Sequence, residues 1–322
     1  MKSLLAAFLT TVLIVISPAL LGAGEVRPVV LQLVVMDPLS APLSCDCVKG
    51  YAQRKYEKLG EYLSARLARK VEVTWAESLE KALKEKTRGK ADLIIGKHSV
   101  VLFDARNAKF AVTPIAALTG KNGKTTQTGL FVVRKDDPAK TVADLAGYRI
   151  FFGPEDCAEK YAAPRQLLKS QKVALPAKVE TEATCSTAAK ALMELAADVK
   201  AAAVISSYAE PLLAGCGTIK KGDLRVIGIS EEVPFITAFA ADSLDTSLRD
   251  ALRKALLDVG EHADLLTALE TSDGFVEFKA PGSTEPSPAA AAAGSQAAAG
   301  SSKTSAGSSS SGTGGSAGAK KK

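Results

Sequence analysis

Residues 29–35 read VVLQLVV, a short run of β-branched and apolar residues that is typical of a buried strand. Two further strand patterns follow, KVEVTW at 70–75 and ADLII at 91–95. Helical patterns lie between them, at 51–69 and at 78–86. An order of strand, helix, strand, helix and strand predicts right-handed crossovers and a largely parallel sheet.

The same alternation returns in the second half of the chain. The predicted strands are 128–133, 149–152, 179–181, 201–205, 224–229 and 235–240, and the predicted helices are 142–145, 158–170, 188–197, 246–260 and 263–269. The fold class is therefore α/β, with two lobes between which the chain crosses near residues 134 and 228. We expect lobe 1 to comprise residues 27–134 and 229–278, and lobe 2 to comprise residues 135–228.

The N-terminal residues 1–24 have the order of a secretory signal peptide. A charged start with Lys2 precedes an apolar run at 4–16, a break at Pro18 and small residues around Ala23. This order predicts cleavage near Ala23 and a periplasmic or secreted protein. The alternative, an uncleaved membrane anchor, is disfavoured because the apolar run is short for a span and is followed by a proline.

The other end of the chain, residues 280–322, is rich in Ala, Ser and Gly and finishes with three lysines. A segment with so few large apolar residues is predicted to be disordered. The full chain carries a net charge of +6, but residues 25–279 hold 36 basic and 34 acidic residues. The basic character therefore comes mainly from the tail, and the sequence indicates no nucleic-acid-binding surface.

Six short motifs give the chain a family resemblance. They are YEKLGEYL at 56–63, VEV at 71–73, GKADLIIG at 89–96, FVVRKD at 131–136, DLAGYRI at 144–150 and AAAV at 201–204. In their order and spacing, across about residues 27 to 278, the chain resembles the periplasmic phosphate/phosphonate-type solute-binding proteins of ABC transporters. The resemblance implies the type II periplasmic-binding-protein fold, with a hinge and an interlobe cleft. It also implies a small ligand and a transporter permease as partners, and we expect a monomer.

Ligands of open parallel sheets bind beyond the carboxyl ends of the strands, where helix N-termini present free N–H groups. The loops that follow predicted strands, at 37–50, 96–99, 153–158 and 184–187, are therefore the expected binding loops. The candidate ligand-binding residues in these loops are Cys45, Cys47, Lys97, His98, Ser99, Glu155, Asp156, Cys157, Cys185, Ser186 and Thr187.

The turn at 154–159 departs from the family pattern. The resemblance implies a Ser/Thr-rich turn whose hydroxyls and N–H groups hold an oxyanion, whereas this chain reads PEDCAE. Its three carboxylates would repel a phosphonate dianion unless a cation screens them. Two ligand classes therefore stay open: an oxyanion held by helix N-termini, or a soft metal held by thiolates.

The metal hypothesis depends on the cysteines, of which the chain has five. Cys45 and Cys47 form a C-x-C pair that can point at one soft ion, and Cys157 lies at a predicted helix N-terminus that favours the thiolate. With His98 these three residues form a candidate site for Cu or Zn. Cys185, also at a predicted helix N-terminus, is likewise expected to have a lowered thiol pKa.

The alternative for the cysteines is structural. In an oxidising compartment we expect at least one disulfide, between Cys157 and Cys185 or between one of these and Cys216. The sequence contains no G-x-S-x-G elbow, no H-E-x-x-H motif and no Gly-rich phosphate loop, so an enzyme is not expected. The leading hypothesis is a solute-binding protein, and the alternative is a stand-alone exported thiol-redox or interaction protein with the same fold.

Overall fold

A computed structural model describes residues 30–44, 53–176 and 178–279. Its strands are β1 (Leu31–Met36), β2 (Val71–Trp75), β3 (Leu93–Lys97), β4 (Val112–Leu118), β5 (Thr126–Gln127), β6 (Gly129–Arg134), β7 (Arg149–Phe152), β8 (Glu180–Thr181), β9 (Ala201–Ser206), β10 (Leu224–Ile229), β11 (Val233–Pro234), β12 (Ile236–Ala241) and β13 (Phe275–Val276). Its α-helices are α1 (Tyr56–Leu67), α2 (Leu79–Lys81), α3 (His98–Asn107), α4 (Ala162–Ser170), α5 (Cys185–Glu194), α6 (Ala209–Gly215), α7 (Thr246–Leu257) and α8 (Ala263–Ala268). The contacts divide the chain after Phe278, and both sheets described below belong to the unit that ends there.

The sheet of lobe 1 has six strands in the order β13-β4-β12-β3-β1-β2. Strands β2 and β3 run parallel to β1, as the alternation of strands and helices predicted. Strand β12 lies between β3 and β4 and runs antiparallel to both. Helix α1 covers this sheet with Tyr56, Leu59 and Leu63, which are fully buried at helical spacing.

The sheet of lobe 2 has five strands in the order β10-β6-β9-β7-β8. Strand β7 runs parallel to β8 and β9, whereas β6 runs antiparallel to β9 and β10. The boundary predicted near residue 134 is therefore wrong, because residues 129–134 pair inside lobe 2. The chain leaves lobe 1 near residue 127 instead.

Two short strands connect the lobes. Strand β5 pairs with β11 through Gln127 and Val233 and through Thr126 and Pro234. Because both crossings pass side by side through this ribbon, it is the hinge about which one lobe can turn relative to the other.

Side chains cap helices α2 and α5. Ser78 caps α2 by accepting a hydrogen bond from the N–H of Lys81, at 3.2 Å. Thr184 and Thr187 cap α5 reciprocally, each side chain accepting a hydrogen bond from the other residue's N–H. In contrast, α4 begins at Ala162 rather than at residue 158, and residues 154–161 form a series of turns.

Residues 96–99, which were predicted to form a loop, belong to β3 and α3. Lys97 ends β3 and His98 begins α3 with no residue between them. In the part of the chain that the structure describes, no helix is long and apolar enough to cross a membrane.

Candidate functional site

A cavity of about 410 Å³ lies between the two lobes. The wall from lobe 1 comes from the loop after β1, from Glu77 and from the junction of β3 and α3, whereas the wall from lobe 2 comes from the loops after β7, β8 and β9. The described residues that line it are Met36, Pro38, Leu39, Leu43, Glu77, Lys97, Val100, Pro154, Asp156, Cys157, Lys160, Ala183, Thr184, Cys185, Ser186, Tyr208, Ala209, Leu212 and Leu213.

The loop after β1 is held by a buried carboxylate. The Oδ2 atom of Asp37 accepts hydrogen bonds from Arg54, at 2.8 Å, and from the Tyr56 hydroxyl, at 2.6 Å. Its Oδ1 atom accepts one from the N–H of Leu39, at 2.8 Å. Burial and the facing Asp37 raise the pKa of Tyr56 well above its ordinary value. This network fixes Leu39 and its neighbour Pro38 against the cavity.

An ion pair joins the lobes on the inner wall of the cavity. The Nζ atom of Lys97, at the carboxyl end of β3, donates to a carboxylate oxygen of Glu159 in lobe 2. The same carboxylate oxygen accepts a hydrogen bond from the Ser206 hydroxyl, at 2.9 Å, and Lys97 Nζ also lies 3.2 Å from the Sγ atom of Cys157. All four residues are buried, so these charges and dipoles interact with little screening by water.

The electrostatics of this cluster follow from burial and pairing. Burial opposes the charge on Lys97, but the facing Cys157 and Glu159 outweigh it and raise the pKa of Lys97 well above its ordinary value. Burial also opposes ionisation of Glu159, yet Lys97 lowers the pKa of that carboxyl to about 2. Both partners are therefore charged across the physiological range.

Cys157 does not have the lowered pKa that its sequence position predicted. Burial raises the pKa of the Cys157 thiol to about 12, despite the nearby Lys97. In addition, α4 begins only at Ala162, so Cys157 does not lie at the helix N-terminus that was expected to favour its thiolate. The prediction of a Cys157 thiolate is therefore wrong.

The other side of the cavity is formed around the N-terminus of α5. The Sγ atom of Cys185 accepts a hydrogen bond from the N–H of Ser206, at 3.3 Å. The Ser186 hydroxyl lies 3.2 Å from that of Thr218, and Lys160 Nζ donates to the carbonyl of Ala183 at 3.1 Å. This side presents hydroxyl and ammonium donors to the cavity.

Tyr208 provides the aromatic part of the wall. Its ring stacks on Phe235 with centroids 5.4 Å apart, and Lys97 Nζ lies 5.9 Å from the centre of the Tyr208 ring. Burial raises the pKa of Tyr208, so its hydroxyl stays protonated at neutral pH. Tyr208 therefore offers an apolar ring and a neutral hydroxyl.

The structure brings five of the eleven candidate residues to the cavity: Lys97, Asp156, Cys157, Cys185 and Ser186. A sixth residue, Ser99, bridges the lobes, because its hydroxyl accepts a hydrogen bond from the N–H of Ala158 at 3.0 Å. Glu155 and Thr187 are exposed and are not among the lining residues, and Thr187 is used to cap α5. Cys45 and Cys47 lie outside the described residues.

His98 faces away from the candidate metal partner Cys157. Its ring stacks on Phe278, with centroids 5.1 Å apart, and packs near Phe239, while its Nδ1 atom lies 3.2 Å from the Thr237 hydroxyl. Burial lowers the pKa of His98. Within residues 30–44, 53–176 and 178–279, no three His, Cys, Asp or Glu side chains are arranged to hold a metal ion.

The predicted disulfide between Cys157 and Cys185 is not formed, and both residues have free thiols. The two sulfur atoms have different neighbours: Lys97 approaches Cys157, whereas the N–H of Ser206 donates to Cys185. The cysteine pair that was predicted to be structural therefore lines the cavity instead.

Sequence reasoning missed several residues that shape the site. Asp37 follows β1 directly and Ser206 ends β9, so the rule that binding groups follow strands could have found both. Glu159 was noted only as one of the three carboxylates of the turn at 154–159, because it lies seven residues after the end of β7 and nothing in the sequence indicates its contact with Lys97. The apolar lining residues Leu212 and Leu213 read as ordinary core positions of a helix.

One family model matches more than half of the chain. The family described as "ABC transporter, phosphonate, periplasmic substrate-binding protein" matches residues 50–281. No curated protein sequence matches the chain.

Solved structures share the fold. A Xanthomonas citri protein bound to ATP aligns with a TM-score of 0.59 and 16% identity, over 78% of this chain and 91% of that one. A binding protein component of an ABC phosphonate transporter from Pseudomonas aeruginosa aligns with a TM-score of 0.59 and 15% identity, over 78% of this chain and 82% of that one. PhnD1 from Prochlorococcus marinus in complex with methylphosphonate aligns with a TM-score of 0.53 and 16% identity, over 78% of this chain and 93% of that one. At these identities the likeness shows the fold alone.

Proposed function

Because this chain belongs to the family of periplasmic substrate-binding proteins of phosphonate ABC transporters, we propose that it captures a small solute between its lobes and passes it to a transporter permease. The family and the type II periplasmic-binding-protein fold that the sequence predicted are confirmed. So is the expectation that the chain is not an enzyme, since the family consists of substrate-binding proteins.

The observation that carries the proposal is the cavity itself. It takes its walls from both lobes, and its volume of about 410 Å³ lies within the range typical of small-molecule sites. Two contacts join the lobes: the ion pair of Lys97 with Glu159, and the hydrogen bond from Ala158 to Ser99. Turning about the ribbon of β5 and β11 would break these contacts and open the cavity to solvent.

The two ligand classes from the sequence receive unequal support. A soft metal depends on Cys45 and Cys47 together with His98 and Cys157, and His98 is directed at Phe278 rather than at Cys157. An oxyanion remains a candidate because Lys97 and the N-terminus of α5 reach the cavity. However, Lys97 already has a carboxylate partner in Glu159.

The alternative function, a thiol-redox protein, is less well supported. A redox cysteine works through its thiolate, and the pKa of the Cys157 thiol is raised to about 12 by burial. Its sulfur also has no cysteine partner among the described residues. We therefore assign the cysteines to the wall of a binding cavity.

A cavity-filling variant tests the proposed function. Ala183 lines the cavity and is exposed, so Ala183→Trp should occlude the cleft at little cost in stability, whereas Ala143→Trp places the same side chain at an exposed position outside the lining. Two probes are titrated into the purified protein: methylphosphonate, and the uncharged fluorophore N-phenyl-1-naphthylamine. We expect at least one probe to bind, with affinity lost in Ala183→Trp and kept in Ala143→Trp. Binding that is insensitive to Ala183→Trp, or no binding of either probe, would contradict the proposal.

A further inference from the structure

We propose that the cavity selects an uncharged, mainly apolar solute, because the carboxylate of Glu159 neutralises Lys97 and the described wall carries no excess of positive charge that could hold an oxyanion. This inference rests on the proposed function, since it names the ligand class of the same cavity. Three features of the wall support it: the pairing of Lys97, the balance of the remaining charges and the apolar lining.

The first feature is that an acidic partner already neutralises the charge of Lys97. Glu159 is buried against it, and the Ser206 hydroxyl donates to the same carboxylate at 2.9 Å. Lys97 also lines the cavity, so a ligand anion bound there would share the lysine with Glu159 and lie close to a buried carboxylate. The repulsion between these two anions would be strong in a low-dielectric site.

The second feature is the balance of charges around the rest of the cavity. The described lining residues include two lysines, Lys97 and Lys160, and two acidic residues, Glu77 and Asp156. Glu159 is paired with Lys97 and adds a further negative charge. The described part of the wall therefore has no excess of positive charge with which to attract a doubly charged phosphonate.

The third feature is the apolar lining that both lobes contribute. Among the described residues, six large aliphatic side chains line the cavity: Met36, Leu39, Leu43, Val100, Leu212 and Leu213. A solute buried against them gains from the removal of its own apolar surface from water, and a charged group there would lose its hydration without compensation. The Tyr208 ring extends this apolar surface towards Lys97.

The polar end of the cavity determines which polar group the solute is expected to have. The hydroxyls of Thr184 and Ser186 are engaged with Thr187 and Thr218. The ammonium group of Lys160 has three N–H donors, one of which is directed to the carbonyl of Ala183. Its other donors suit a neutral acceptor, for example a carbonyl or an ether oxygen. The expected ligand thus has an apolar body and one uncharged hydrogen-bond acceptor.

The test compares the same two probes in the wild-type protein. We expect N-phenyl-1-naphthylamine to bind in the cavity, with at least a tenfold loss of affinity in Ala183→Trp, and methylphosphonate to bind at least a hundredfold more weakly. Methylphosphonate that binds more tightly than the uncharged probe, and whose binding Ala183→Trp abolishes, would overturn this inference and leave the proposed function intact. If Ala183→Trp changes the binding of neither probe, the proposed function fails as well.

A charge-removal variant tests the role of Glu159 directly. Glu159→Gln leaves Lys97 without its carboxylate, so the affinity for methylphosphonate should rise at least tenfold. Glu194→Gln removes an exposed carboxylate at the far end of α5 and should leave that affinity unchanged. An unchanged affinity in folded Glu159→Gln would contradict the assignment. The wild-type comparison of the two probes decides the ligand class even where Glu159→Gln folds poorly.

Discussion

The Nζ atom of Lys97 lies 3.2 Å from the Sγ atom of Cys157, although the two residues belong to different lobes. Lys97 ends a strand of lobe 1, and Cys157 lies in the turns that follow β7 of lobe 2. The contact is part of a buried cluster in which the carboxylate of Glu159 neutralises the lysine.

The thiol of Cys157 should be chemically inert at neutral pH. Because burial raises its pKa from 9.0 to about 12, the thiolate fraction should fall about 1,000-fold relative to an ordinary cysteine. We expect correspondingly slow alkylation by iodoacetamide, followed by mass spectrometry, in a variant that keeps Cys157 and replaces the other cysteines by serine. The same protein in denaturant provides the control rate. Alkylation of the folded protein at that control rate would show that Cys157 is accessible and ionised.

Glu159 should make the stability of the protein depend on acid pH. Its pKa is lowered from 4.5 to about 2 in the folded state, so its contribution is fully present above pH 4.5 and is lost as the pH falls from 4.5 towards 2. The shift corresponds to about 3 kcal/mol. Urea unfolding of the wild-type protein and of Glu159→Gln should show a gap in free energy of unfolding at pH 6 that narrows markedly at pH 3. A gap of constant size would mean that Glu159 is not held ionised by Lys97.

The ion pair of Arg54 with Asp37 should be essential for the stability of lobe 1. Both side chains are buried, at 3% and 0% exposure, so Arg54→Met leaves a buried carboxylate without its cation. Breaking a pair of this kind costs about 3–5 kcal/mol. Glu61→Gln, which breaks an exposed ion pair with Lys58, is the matched control and should leave the urea midpoint unchanged. Equal midpoints for the two variants would contradict the structural role of Asp37.

Gly129 should not accept a side chain. A Cβ atom at this position would lie 1.9 Å from the backbone oxygen of Glu159, so Gly129→Ala must displace the turn that carries the carboxylate. Overpacking of this kind typically costs about 1–3 kcal/mol. Gly215→Ala, where a Cβ atom meets nothing within 4 Å, should unfold at the wild-type temperature. Thermal melts of the two variants that coincide would show that the turn tolerates the methyl group.

Much of the fold could be predicted from the sequence because hydrophobic periodicity is a local signal. The strands β1 to β3 were each predicted from a few neighbouring residues. Strand β4 was missed because it contains Pro114, which ordinarily argues against an inner strand. The structure accommodates Pro114 at a register shift beside Phe239, while β13 pairs only with Ala117 and Leu118.

The site could be predicted in position but not in chemistry. Lys97 and Cys185 were expected at the cavity because each adjoins the end of a strand or the start of a helix. The partner of Lys97 was not predicted, because Glu159 belongs to the other lobe. It lies in turns that depend on contact with Gly129. The direction of His98 was equally hidden, because α3 begins directly after β3 and turns the imidazole towards Phe278.

The central position of β12 has a consequence for the order in which the chain folds. Strand β12 joins β3 to β4, yet in sequence it comes after the whole of lobe 2. The five strands of lobe 2 run without interruption from Gly129 to Ile229, so their pairings close shorter loops and are reached sooner. The sheet of lobe 1 stays divided until Ile236–Ala241 is inserted between its two halves. We therefore expect lobe 2 to fold first and the shared cavity to be the last feature that this chain acquires.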